Sequence, residues 1–185
     1  MFDPTIYDNL KVVLEGAFYD LDAEGAFLIT GREDLVDLAS YSRTFRLEVR
    51  RQGGACRGAV SLVSTLADFA GELRKMHLAG DAPGARVLLQ LDLPLSVSGR
   101  RAELEAYLAE LWEHAFTMKA ELILPWDGGE PGAENEDAGA CRIRMTTSGK
   151  LDESDVESVE DIGRRLSMSL IYADRLAEEC RGSGT

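Results

Sequence analysis

Cysteine, lysine and histidine are scarce in this chain, and each scarcity narrows what it can be. Three cysteines, Cys56, Cys141 and Cys180, at wide and uneven spacing do not make a disulfide framework. Reduced thiols in a cytoplasmic protein are expected instead. The two histidines, His77 and His114, have no second imidazole or cysteine at metal spacing, so no zinc motif is written locally. Lysine is confined to Lys11, Lys75, Lys119 and Lys150, a bias from which no function follows. The opening residues Met1 to Asp8 lack a basic start and an apolar stretch, so no secretory leader is expected. Apolar runs are short, Val87 to Leu89 being typical, and none approaches a membrane span. The chain also lacks a Walker loop, a dinucleotide fingerprint, a Gly-x-Ser-x-Gly elbow and a His-Glu-x-x-His helix. No cofactor is expected.

What is present is enough for an ordinary core. With 185 residues, 45% hydrophobic and 29% charged, one domain over residues 1–180 is expected, with a frayed tail at 181–185. A chain of this size buries roughly 70% of its unfolded surface and needs no staple. The 33 acidic against 20 basic residues give a formal charge of −13. Long-range repulsion then disfavours nucleic acid and anionic membranes as partners.

The patterning predicts an α+β fold. Leu10 to Asp20 is β-rich and, with the turn at Asp22–Gly25 and the run Ala26 to Ile29, reads as a hairpin. Thr30-Gly31-Arg32-Glu33 has capping-box spacing and opens a predicted short helix to about Ser40. Phe45, Leu47 and Val49 alternate with Thr44, Arg46, Glu48 and Arg50, so a strand turns at Gly53-Gly54 and returns over Arg57 to Val63. A helix capped by Thr65 buries Leu66, Phe69, Ala70 and Leu73 in this reading, with His77 near its end. Strands follow at Arg86 to Leu93, Met118 to Leu124 and Cys141 to Thr147, with a helix from Ser98 between the first two. The expected order is ββαββαβαββα: a mainly antiparallel sheet of about seven strands, helices on at least one face, and a long C-terminal helix.

Four places carry candidate chemistry. Gly54-Ala55-Cys56-Arg57-Gly58 resembles the segment around the caspase nucleophile. That family places its histidine roughly 50 residues upstream, whereas the first histidine here is His77, and thiol-protease chemistry is rejected. A reactive Cys56 remains a candidate, because Arg50, Arg51 and Arg57 would favour its thiolate; the plain alternative is a packed, inert thiol. Asp20, Asp22 and Glu24 before Gly25 resemble the start of an EF-hand loop. Position twelve is Gly31 rather than glutamate, leaving an acidic turn as the calcium candidate. The loop from Trp126 to Gly139 carries Glu130, Glu134, Glu136 and Asp137, an acidic contact edge with an aromatic anchor.

The fourth is the last helix. Val156, Val159, Gly163, Leu166, Leu170, Ala173, Ala177 and Cys180 repeat at alternating spacings of three and four, a heptad stripe. Small residues at Gly163, Ala173 and Ala177 permit close approach of another backbone. One face is expected to pack on the chain's own sheet, above all in the N-terminal half of the helix, and the remaining apolar strip is the partner surface, with Leu166, Leu170, Ala173 and Ala177 as candidate partner-binding residues. The functional expectation is a cytoplasmic, non-catalytic protein-binding module, regulatory or assembly in kind, whose partner is another protein or a second copy in a homodimer. The alternative is a small enzyme built from dispersed carboxylates and arginines, with a divalent ion at the acidic loop.

Overall fold

The computed structural model describes residues 5–74, 82–124 and 139–182. Helix α1 spans Thr5–Ala23, where the β-rich composition predicted a strand. Tyr7, Leu10, Leu14 and Phe18 recur every three or four residues and are all buried, and this helical period outweighs the β-branched content. The first amides of α1 are capped from far away in sequence: Glu72 Oε2 accepts from Thr5 N at 2.8 Å and Ile6 N at 3.3 Å. Gly25, with φ of 77°, stops the helix. Ala26 N donates to Leu21 O and Gly25 N to Asp22 O, the paired bonds of a Schellman cap.

Strand β1 follows at Leu28–Asp37, where a helix was expected, then β2 at Ser42–Arg50 and β3 at Arg57–Ser64. The capping-box signal fails because β1 pairs along β2 from Leu28 to Asp37, and tertiary pairing overrides a weak local preference. Asp37 Oδ1 accepts from Ala39 N at 2.8 Å and shapes the turn into β2. Helix α2 is Leu66–Arg74, but Leu66 and Leu73 are exposed and Asp68 is the buried side chain. Strand β4 is Arg86–Pro94. A 3-10 turn over Leu95–Arg100, holding Ser98, precedes α3 at Arg101–Leu111. Strands β5, Phe116–Ile123, and β6, Ala140–Thr147, lead to α4 at Val156–Gly182. Arg181 and Gly182, expected in the tail, belong to α4.

The observed fold is thus α+β with a six-stranded, wholly antiparallel sheet in the order β1-β2-β3-β4-β6-β5. The expected seventh strand is α1. Register stacks the apolar residues of one face in rows: Phe45, Leu62 and Val87; then Leu47, Val60, Leu89 and Met145. Against them lie Tyr7, Leu10, Leu14 and Phe18 of α1, Leu104 and Leu108 of α3, and Leu166, Leu170, Ala173 and Ala177 of α4. Each fully buried large aliphatic or aromatic side chain here stabilises the fold by about 1.5–3 kcal/mol. Where α4 crosses β3, Gly58 leaves room for Leu166, whose Cδ1 lies 3.1 Å from the position a Cβ would take. Gly163 does the same for α1: an added Cβ would stand 2.6 Å from Leu21 Cδ1. The close approach expected of this small residue is made to the chain's own first helix.

Candidate functional site

The buried core lies on one side of the sheet, so the alternate side chains of each strand point away from the described helices. Register places these outward residues in rows: Arg46, Ser61, Leu88 and Thr146; Glu48, Ala59, Gln90 and Arg144; Arg50, Arg57, Asp92 and Arg142; Thr44, Val63 and Arg86. On the four inner strands six arginines therefore stand against two carboxylates, in a chain whose net charge is −13. Between the long side chains run two adjoining depressions of about 150 and about 190 Å³, which share Arg46 and Gln90. Ala59 and Ser61 form a small-residue floor, flanked by Val63 and Leu88.

Part of this grid is held rigid. Arg142 forks onto Asp92, Nε to Oδ1 at 2.6 Å and Nη2 to Oδ2 at 3.2 Å. Gln90 Nε2 donates to the same carboxylate at 2.9 Å. Arg46 donates to Glu48 Oε1 at 3.0 and 3.1 Å, and Arg144 to Glu121 at 2.9 Å. Arg50 and Arg57 differ. They face each other across β2 and β3, and among the described residues neither has a carboxylate partner. Like charges directly opposite destabilise a strand pair; Asp92, opposite Arg57 on its other side, is held by Arg142 and Gln90, so both guanidiniums stay open to a further anion.

The residues singled out by sequence fall elsewhere. Leu166, Leu170, Ala173 and Ala177 are fully buried against the chain's own sheet, so the heptad stripe is closed to a partner. The apolar residues that α4 does expose are Met168 and Ile171, at 47% and 49%. Asp20, Asp22 and Glu24 lie in the last turn and cap of α1 instead of a ligand loop. Among the described residues no three His, Cys, Asp or Glu side chains group as metal ligands. Trp126, Glu130, Glu134, Glu136, Asp137 and His77 lie outside the described residues. His114 sits in the turn after α3, with φ of 56°.

Cys56 is fully buried, and burial first, then the neighbouring Asp174 carboxylate, pushes its thiol well above the usual range. The expected activation fails because burial and Asp174 both oppose the thiolate, and Arg51 reaches that carboxylate, at 3.4 Å. Asp174 is 3% exposed and accepts from Ala55 N and Cys56 N, each at 2.9 Å. A Cβ on Gly54 would come within 2.5 Å of its Oδ2. The Gly54–Gly58 segment is therefore the socket for a buried carboxylate of α4, a role that no local motif announces.

Two other polar clusters are likewise turned inward. Lys11 contacts Asp34, and Arg43 reaches Asp8 at 2.9 Å and Asp34 at 3.3 Å. Burial raises the Asp34 carboxyl, but Lys11 and Arg43 outweigh it and hold it below its ordinary value. These pairs fasten α1 to β1 and β2. A cleft of about 220 Å³ beside Trp112 and Phe116 contains Arg165. That guanidinium is committed to Asp161 at 2.6 Å, Glu113 at 2.7 Å and Leu111 O at 3.1 Å.

No protein-family model, no curated protein and no solved structure matches this chain. Among the described residues no helix is long and apolar enough to cross a membrane.

Proposed function

We propose that the chain is a cytoplasmic, non-catalytic protein-binding module, regulatory or assembly in kind, whose docking surface is the open face of the sheet. The observation that carries this reading is the net-basic arginine grid on an acidic chain, with Arg50 and Arg57 facing each other and neither in an ion pair among the described residues. Its occupant is an extended acidic segment of a partner protein. Carboxylates of that segment meet Arg50 and Arg57, and its apolar side chains rest on Val63 and Leu88. The arginines already fixed by Asp92, Glu48 and Glu121 present oriented guanidinium edges, which lowers the ordering cost of binding. Reduced, buried Cys56 and Cys141 suit a reducing compartment. The cleft at Arg165 favours the binding reading over an enzyme of dispersed carboxylates and arginines at that place, because its charged groups bond to one another.

The test is fluorescence anisotropy with a labelled peptide of alternating glutamate and leucine, beside a lysine–leucine peptide and a single-stranded oligonucleotide. Saturable binding of the acidic peptide alone is expected, weakening as salt screens the contacts. Arg50→Glu with Arg57→Glu abolishes it, and Arg164→Glu on the exposed side of α4 leaves it intact. No binding of the acidic peptide, equal binding by the reversed variant, or preference for the oligonucleotide would overturn the proposal.

A further inference from the structure

Strand β5 is the last strand of the sheet, paired with β6 on one side and with no described strand on the other. Natural edges are usually blunted by proline, a bulge, an inward charge or edge lysines. β5 has no proline, bulge or inward charge: it runs in unbroken register with β6 from Phe116 to Ile123, and its single lysine is matched by a glutamate two residues on. Its end exposes Leu122 at 60% and Leu124 at 62%. Its outward side chains include one cation and one anion, Lys119 and Glu121. Lys119 stands opposite Arg144, a like charge, and among the described residues has no carboxylate partner.

We propose that a second copy of the chain pairs antiparallel along this edge, about a two-fold axis through Ala120. In that register Lys119 faces Glu121 of the second copy, and Glu121, which already accepts from Arg144 of its own chain at 2.9 Å, faces the second copy's Lys119, so two ion pairs are added from one strand sequence. Met118 meets Leu122, Phe116 meets Leu124 and Thr117 meets Ile123. A two-fold axis perpendicular to the sheet keeps the inner face of each copy on the same side, so every one of these pairs shares a face. Neighbouring registers lack this match. Centring on Lys119 or Glu121 sets like charges against each other on the axis, and centring on Met118 or Leu122 leaves both charges without a partner. The result is one continuous sheet of twice the width, with both arginine grids on the same side. This inference stands on the β5 edge and does not require the acidic-peptide reading of the open face.

The experiment is sedimentation velocity from about 1 to about 100 µM on the wild type, on Lys119→Glu and on Glu121→Lys, with circular dichroism to confirm folding. Both positions are exposed, and the one contact given up, the surface pair of Glu121 with Arg144, contributes little to stability, so the fold tolerates the changes. The wild type is expected to dimerise, and each single variant to raise the dimer Kd by about tenfold or more, since each sets like charges together at two contacts. Mixing the two variants restores a dimer, because glutamates at 119 and 121 of one chain then face lysines at 121 and 119 of the other. A wild type that stays monomeric over this range, single variants that dimerise as the wild type does, or a mixture of folded variants that stays monomeric would each overturn the proposal.

Discussion

Replacing Asp174 with alanine removes one carboxylate from the middle of α4 and deprives the β2–β3 hairpin of its anchor. Hydrogen bonds to a charged acceptor contribute about 1.5–3 kcal/mol each. The Ala55 amide lies at the surface, regains water in the variant and counts at the low end. The Cys56 amide belongs to a fully buried residue and finds no substitute, so its loss carries the full desolvation cost. Arg51, at 3.4 Å and partly exposed, adds little. The expected loss is about 3–4 kcal/mol, roughly 10 °C in Tm for a chain of this size. Asp174→Asn keeps an oxygen toward the two amides while giving up the charge, and costs about half as much. Urea unfolding followed by circular dichroism gives both values, and amide exchange adds a local readout: protection at Cys56 should fall further than the global loss requires. A cost below about 1 kcal/mol for Asp174→Ala, or unchanged protection at Cys56, would refute the anchor.

The ion pair between Lys150 and Asp68, 2.7 Å apart and nearly buried, sets an acid limit to stability. Burial raises the Asp68 carboxyl, but Lys150 and the Thr65 hydroxyl and amide outweigh it and hold it below its ordinary value of 3.8. Its contribution is therefore fully present above about pH 4 and is lost as pH falls through the lower folded value. Lys150→Met should cost about 3 kcal/mol at neutral pH, and that cost should shrink toward pH 3 as Asp68 protonates; urea midpoints across pH check both. Ser169 Oγ accepts from Trp112 Nε1 at 3.1 Å and donates to Arg165 O at 2.8 Å. Ser169→Ala strands a buried indole N–H at about 1–2 kcal/mol, and a double-mutant cycle with Trp112→Phe should return a coupling of about 1 kcal/mol.

The parts of this fold that could be read from sequence are those whose packing is periodic along the chain. Phe45, Leu47 and Val49 announce β2, Val87, Leu89 and Leu91 announce β4, and the stripe from Val159 to Ala177 announces α4, because each pattern repeats the geometry of its own element. α1 was obscured by Val12, Val13, Phe18 and Tyr19, whose β preference is local, while the deciding spacing of Tyr7, Leu10, Leu14 and Phe18 takes its meaning from a sheet to pack against. β1 went unread because Thr30 and Glu33 fit a cap equally well, and only β2 decides between the two. The arginine grid is a matter of register. Arg57 and Arg142 lie far apart in the chain and become neighbours of Asp92 only once strand order is fixed. Each was already marked as outward by its apolar neighbours, and that is the sequence signal for the open face. Asp174 gives no such signal, since nothing in α4 tells that a buried carboxylate will meet the amides of a distant hairpin.

The most direct measurement of the docking surface is an NMR titration that follows the arginine side-chain Nε–H resonances as the acidic peptide is added. Arg46, Arg50, Arg57, Arg142 and Arg144 should shift together and saturate at one Kd, while Arg164 and Arg175 on α4 stay in place. Shifts centred on α4, or an arginine grid that does not respond to saturating peptide, would contradict the open face as the binding surface.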